Sequence, residues 1–184
     1  MPVPSGESNL LNAEQILSHL KVGEGMRLAE LGCGGRGHFV FPALRFVGSK
    51  GHVYAVDILK PVLTAIERQA REEHWTNVTT VWSNLEAVGA TNIPAHGLDR
   101  ATLINILFQA KNPAAILKEA WRLLKSGGLL LVVDWSQESA PFGPAVAQRV
   151  PVEKAKALAV AAGFEAVEEF AAGRHHYGLA LAAR

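Results

Sequence analysis

The sequence predicts a single α/β domain built on a doubly wound, Rossmann-like sheet of seven strands, mostly parallel, with an antiparallel last strand. Three observations predict it. Short apolar runs alternate with amphipathic helical patterns along the chain. A glycine-rich turn, "ELGCGGRG" (30–37), closes the first of these runs. The last two runs, "FEAVEEF" (164–170) and "YGLALAA" (177–183), are separated only by "AAGRHH". A parallel crossover takes about a dozen residues or more, so these two strands must run antiparallel to each other.

Each element has its own signal. Residues 1–9 are polar with two prolines and are expected to be loose. Leu10, Ala13, Ile16, Leu17 and Leu20 fall near one face of a helix over 10–20, capped by Asn12. Residues 1–25 therefore form an N-terminal segment and helix, a candidate lid, ahead of a domain over 26–184. "RLAELG" (27–32) is a strand ended by glycine. "HFVFPALRFVG" (38–48) is a short helix with Pro42 in its first turn. "HVYAVDI" (52–58) is β-branched, aromatic and ends in an acid. "KPVLTAIERQAREEH" (60–74) is an amphipathic helix with Pro61 near its start. "NVTTVWS" (77–83) and "LDRATLIN" (98–105) are strands. "NPAAILKEAWRLLK" (112–125) is a helix with Asn112 as cap and Pro113 at its first position. "GLLLVVDW" (128–135) is a buried strand, and "PVEKAKALAVAAG" (151–163) a helix closed by Gly163.

Bulk properties exclude several classes. With 184 residues and 49% hydrophobic content, the chain suits one domain with a sizeable core. A net charge of +1, with scattered basic residues, argues against a nucleic-acid partner. Cys33 is the one cysteine, so no internal disulfide forms and a reduced, cytoplasmic setting is expected. The N-terminus lacks a basic region followed by an apolar run, and "GGLLLVVDW" is far short of the ~20 residues of a membrane span. The seven histidines are dispersed apart from His175–His176, and neighbours on a strand point to opposite faces, so no metal site is expected.

The glycine turn carries the chemistry. Gly32, Gly34 and Gly37 spell G-x-G-x-x-G, and Asp57 follows twenty residues later, at the end of the next strand. A strand ending in Gly-x-Gly exposes backbone N–H groups beyond the carboxyl ends of the sheet, and Asp57 faces the same crevice. An acid there accepts from two vicinal ribose hydroxyls. By pattern alone this is the NAD fingerprint of an oxidoreductase. Three features point away from NAD. Glu30 would repel a pyrophosphate but suits a cationic amino group. There is no room for a second, substrate-binding domain. The antiparallel final pair fits a particular seven-stranded sheet.

These residues resemble the class I S-adenosylmethionine (SAM)-dependent methyltransferases, along essentially 10–184. "AELGCGGRGHF" resembles the family's E/D-x-G-C-G-x-G motif, and "VYAVDI" its acidic ribose-binding strand end. "WSNLE" resembles the adenine segment, and "LDRATLINILFQAKNP" the fourth motif. "ILKEAWRLLKSGGLLLVVDW" resembles the L-x-E-x-x-R-x-L-K-P-G-G signature and is the most specific match. The segment "SQESAPFGPAVAQRV" (136–150) is similar to the corresponding region of small methyltransferases related to the quinone-biosynthesis C-methyltransferases. The glycine loop is one residue longer than usual, Asn84 replaces the usual aspartate, and Ser126 the usual proline.

The resemblance implies a SAM site, with S-adenosylhomocysteine as product. Glu30 would hold the amino group; Gly32, Cys33, Gly34 and Gly37 would form the backbone wall. Asp57 would take the ribose, Ile58 the adenine face, and Asn84 and Leu85 the adenine edge. Asn105 would offer its carbonyl near the sulfonium. Methyl transfer needs no catalytic triad, and none is visible. His38, Asn105, Gln109, Asp134, Trp135 and His175 are candidates to face the acceptor, from their positions near strand ends. The segment "SQESAPFGPAVAQRV" (136–150) holds two prolines and a glycine and is expected to be a loop. With helix 10–20 it would form a partial lid over a small or lipid-like acceptor. The alternatives are an NAD-binding oxidoreductase domain and a non-catalytic SAM-binding protein.

Overall fold

The computed structural model describes residues 11–184. Leu10, expected on the face of the first helix, lies outside the described residues, as do residues 1–9. The elements run α1 (Ala13–Ser18), β1 (Arg27–Leu31), α2 (Val40–Val47), β2 (His52–Asp57), α3 (Lys60–Glu72), β3 (Val78–Trp82) and β4 (Leu98–Ile104). They continue with α4 (Pro113–Leu123), β5 (Leu124–Trp135), α5 (Val152–Ala162), β6 (Phe164–Ala171) and β7 (His176–Ala183).

The seven strands form one sheet in the order β3-β2-β1-β4-β5-β7-β6. β1 to β5 are parallel; β7 inserts between β5 and β6 and runs antiparallel to both. The short link from β6 to β7 forces that hairpin, as the sequence requires. The order reverses direction at β1, which places a crevice between the tips of β1 and β4.

Alternation along each strand sorts the core into two layers. Ala29, Leu31, Leu103 and Val132 face α4 and α5, where Ile116, Leu117, Ala120 and Ala159 pack on them. Leu28, Ile104, Leu131 and Val133 face α1, α2 and α3, meeting Leu17, Leu44, Val47 and Ile66. Each fully buried Leu or Ile contributes about 1.5–3 kcal/mol, so the helices are held by their apolar stripes far more than by local propensity. The caps form as expected. Asn12 accepts from Gln15 N at 3.0 Å and Asn112 from Ala115 N at 3.2 Å. Gly163 ends α5 in the left-handed region, where a side chain would also strike Trp121.

The helices come out shorter than their patterns, and the largest boundary change lies between α4 and β5. The spacing predicts a helix to Lys125 and a strand from Gly128, but α4 ends at Leu123 and β5 begins at Leu124. Leu124 pairs with Leu98, the ladder breaks, and pairing resumes at Leu129 with Arg100. Gly127, at φ 75°, makes the bulge possible.

The connection from β3 to β4 carries no helix and needs another anchor. Glu119 on α4, fully buried, supplies it. Its carboxylate accepts from Gly89 N (2.7 Å), Thr91 N (3.0 Å) and the Arg122 guanidinium (2.7 Å). Burial raises its pKa, but Arg122 and the two N–H groups outweigh it and hold the carboxyl down at about 2. The E-x-x-R of the long signature thus staples the segment that follows β3.

Candidate functional site

Beyond the tips of β1, β2 and β4 lies a crevice of about 520 Å³. Gly32, Gly34, Asp57, Ile58, Asn84, Leu85 and Asn105, all expected at the site, line it. So do Gly35, Leu59, Val62, Ser83, Glu86, Ile106 and Gln109, of which only Gln109 was singled out from sequence.

The glycines of the loop do different work. Gly32 sits at φ 86°, and a Cβ there would run into Ile106. Gly34, at φ 62°, turns the chain with open space beside it. Gly37 is not on the crevice wall: a Cβ there would strike Phe41 and Ile66, so this glycine serves packing between the loop, α2 and α3. Cys33 also lies off the wall, buried on the α2 side of the sheet. Burial, then the Glu30 and Asp57 carboxyls, push its thiol up, which leaves it protonated and a poor nucleophile.

Asp57 ties the crevice together. Its Oδ2 accepts from Gly34 N at 3.1 Å and its Oδ1 from Leu59 N at 2.9 Å. The second bond sets the turn into α3, whose first flanking residue is Leu59. A carboxylate offers about four lone-pair sites, so both oxygens retain capacity to accept from a ligand. Asn84 Oδ1 accepts from Glu86 N at 3.0 Å, with a lone pair to spare. Glu86 in turn accepts from Lys111 N and Asn112 N, which fixes this wall of the crevice to the start of α4.

Glu30 is buried at 3% exposure, on the face shared by its register partner Thr102. Its Oε2 has no hydrogen-bond partner, nor has Thr102 Oγ1 or, at the tip of β4, Asn105 Oδ1. Burial drives the Glu30 carboxyl well above its ordinary range; the Val40 N–H opposes this, and the Asp57 charge adds to it. Asn105 adopts φ 57°, a left-handed conformation uncommon for a residue with a side chain. Its carbonyl accepts from Gln109 Nε2 at 2.6 Å.

Asn105 and Gln109 also line a second cavity, of about 630 Å³, together with Leu11, Phe108, Trp135, Gly143, Pro144, Gln148 and His176. The two cavities therefore meet at Asn105 and Gln109. Of the residues expected to face an acceptor, Asn105, Gln109 and Trp135 do line this cavity. The other three do not, each for a physical reason. Asp134 turns away to accept from Trp135 N (2.8 Å) and Phe108 N (3.2 Å), and burial raises its carboxyl to about 6. His38 donates from Nε2 to the Leu11 carbonyl at 2.8 Å, so it supports the wall from behind. His175 packs edge-on against Phe142, with ring centroids 5.3 Å apart. It is His176, the register partner of Trp135, that reaches the cavity.

The loop over 136–150 is irregular apart from one 3-10 turn, Val146–Gln148. Its organiser went unread in the sequence. Arg149, 6% exposed, donates to the carbonyls of Ser136 (2.8 Å), Glu138 (2.7 Å) and Pro144 (3.0 Å), and lies over the Trp135 ring at 5.2 Å.

The family's profile, described as "Methyltransferase domain", matches residues 23–174. The chain belongs to the methyltransferase domain family. It is 27% identical over 126 residues to a demethylmenaquinone methyltransferase of a Geobacillus species, covering 67% of this chain and 51% of that one. It is 32% identical over 114 residues to a ubiquinone/menaquinone biosynthesis C-methyltransferase of Vibrio cholerae, covering 61% and 42%. The chain thus spans about half the length of these relatives. A SAM-dependent methyltransferase from Aquifex aeolicus has the same fold, with a TM-score of 0.86 at 20% identity, covering 97% of this chain and 93% of that one. The class I resemblance therefore holds. The cofactor of this methyltransferase domain is S-adenosylmethionine, and the nicotinamide reading falls.

The residues present fit that cofactor. Asn105, on the crevice wall, has a buried Oδ1 without a partner among the described residues, which suits a cationic group; Glu30, expected at the site, is not among the residues lining the crevice, although its buried Oε2 is likewise unpartnered. The open space beside Gly34 suits close approach of a ligand to backbone. Among the described residues no helix is long and apolar enough to cross a membrane.

Proposed function

We propose that this chain transfers a methyl group from S-adenosylmethionine to a small or lipid-like acceptor. The observation that carries the reading is the meeting of the two cavities at Asn105 and Gln109. One is polar-edged and glycine-walled, as a nucleoside cofactor requires; the other is aromatic. When bound, the cofactor supplies a methyl group on a positively charged sulfur, open to in-line displacement by the acceptor.

The chain's own residues divide the labour. Asp57 accepts from the ribose hydroxyls while it keeps Gly34 and Leu59 in place. Ile58 packs on the adenine face, and Asn84 and Leu85 meet its edge. Glu30, ionised by the approach of the ammonium group, holds it. Gly32 and Gly34 let backbone approach the ligand, and Cys33 and Gly37 shape the loop from behind. Asn105 orients its carbonyl toward the sulfonium. Leu11 on one side and Gly143, Pro144 and Gln148 on the other line the acceptor cavity, which supports a partial cover formed by the N-terminal segment from Leu11 and the 136–150 loop, over a core domain of 26–184. The quinone-related relatives support a small-molecule acceptor, and the near-neutral charge argues against nucleic acid.

Isothermal titration with S-adenosylmethionine, S-adenosylhomocysteine and NAD tests the cofactor half. The acceptor half is tested by S-adenosylhomocysteine release over phenols, quinones, amines, thiols and phospholipids. Turnover with none of these, despite tight cofactor binding, would favour a binding protein over an enzyme.

A further inference from the structure

Among the described residues, four of the seven buried polar side-chain atoms without a partner belong to Asn105, Ser136, His175 and His176, at or beside the second cavity. Of these residues, Asn105 and His176 line it. His176 is 4% exposed, and its Nε2 has no hydrogen-bond partner among the described residues. Its ring lies against Trp135, centroids 4.3 Å apart at 42°, so the imidazole is held at a set angle on the aromatic wall. Such a group costs about 1–3 kcal/mol when left unpaired, which is tolerated where a ligand completes it.

We propose that the second cavity takes a flat, non-cationic acceptor whose hydroxyl or carbonyl oxygen hydrogen-bonds His176 Nε2. This rests on the methyl-transfer reading and specifies its substrate class.

Three features define that class. The walls contributed by Trp135 and Phe108 are aromatic, and among the described residues no carboxylate lines the cavity. Arg149, on the Trp135 ring, has only carbonyl partners among the described residues, none of them an acid. That field would repel a cationic acceptor, leave a neutral one unaffected and attract an anionic one. Burial, then His175 and Arg149, hold His176 down at about 4, so the ring is neutral at physiological pH. A neutral ring presents Nε2 either as an acceptor for O–H or as a donor to C=O, and an oxygen function serves both tautomers.

The test uses matched probes and the full chain, with and without saturating S-adenosylhomocysteine. Binding of 1-naphthol, 1-methylnaphthalene and 1-naphthylmethylammonium is followed by ligand-observed NMR titration. Wild type should prefer 1-naphthol over 1-methylnaphthalene by about fivefold, the worth of one net hydrogen bond of about 1 kcal/mol. The ammonium probe should bind about tenfold more weakly than 1-naphthol. In His176→Phe the naphthol preference should vanish, and His176→Gln, which restores a polar head, should recover part of it. S-adenosylhomocysteine affinity should stay within about twofold in both variants, which shows them folded. Equal binding of the two neutral probes, a preference that survives in His176→Phe, an ammonium probe that binds as well as naphthol, or no binding at all would each overturn the proposal. Because the probes are also titrated without cofactor, a failure of the SAM site shows separately, as loss of S-adenosylhomocysteine binding by wild type.

Discussion

Replacing Glu30 by Gln should flatten the pH dependence of the ligand-free protein. The folded chain holds the Glu30 proton well above 4.5, the ordinary carboxyl value it regains when unfolded. Between those two pKa values the folded state carries more protons than the unfolded one, so stability falls as pH rises. The slope is about 1.4 kcal/mol per pH unit within that window. At about 2–4 °C of Tm per kcal/mol for a chain of this size, that is roughly 3–6 °C per pH unit. Gln can still accept the Val40 N–H through its oxygen, and it places an unpartnered amide nitrogen where Oε2 lies, a cost of about 1–3 kcal/mol that does not vary with pH. Asp134, raised to about 6, adds its own slope between 3.8 and 6, but to both proteins alike, and cancels in the comparison. Calorimetric scans of wild type and variant upward from pH 4.5 should therefore show the Tm difference moving toward the variant until the folded-state pKa of Glu30 is passed. With S-adenosylhomocysteine the wild type should gain affinity as pH rises, by up to about tenfold per unit, because binding expels the proton from Glu30. The variant should bind weakly and without that dependence. Parallel Tm curves would refute the buried-proton account, and wild-type ligand affinity in the variant near pH 8 would remove Glu30 from the site.

Other perturbations separate the parts of the site. Asp57→Ala should weaken S-adenosylmethionine binding by about 1–3 kcal/mol in a calorimetric titration, since it removes a charged acceptor and frees Gly34 N and Leu59 N; unchanged affinity would count against the ribose role. Glu119→Gln should cost about 2–3 kcal/mol in urea unfolding at neutral pH. Its carboxyl lies at about 2 in the fold against 4.5 in the unfolded chain, so the stabilisation is present above 4.5 and disappears as pH falls toward 2; a deficit that persists at low pH would contradict this. Arg149→Ala removes the donor to Ser136, Glu138 and Pro144 and should expose 136–148 to limited proteolysis, leaving S-adenosylhomocysteine affinity within about threefold. Deleting 136–145 should abolish methyl transfer while cofactor affinity stays within a few fold; equal loss of both would discard the cover role.

Much of the fold was legible because α/β architecture writes its periodicities into short segments. Strands read as apolar runs and helices as stripes, and the six residues of "AAGRHH" fix the antiparallel pair without any knowledge of packing. What escaped depends on pairing across strands, which local pattern does not encode. The start of β5 moved four residues because Leu124 finds Leu98, a partner 26 residues earlier. Arg149 reads as a solvated loop cation until the loop folds and three carbonyls surround it.

The histidine pair shows how fine that dependence is. His175 and His176 are adjacent at the start of β7, and strand parity sends one toward the second cavity and the other toward Phe142. Which is which follows from the register of β7 on β5, where Trp135 faces His176 and Asp134 faces Tyr177. A slip of one residue would exchange every side chain between the two faces, putting Tyr177 and Leu179 on the side of His176 and breaking both core layers. The same hydrophobic pattern that buries Leu179 and Leu181 against α5 therefore selects His176 for the cavity. Position in the chain points to His175 for the acceptor site, and the core of the hairpin assigns it to His176 instead.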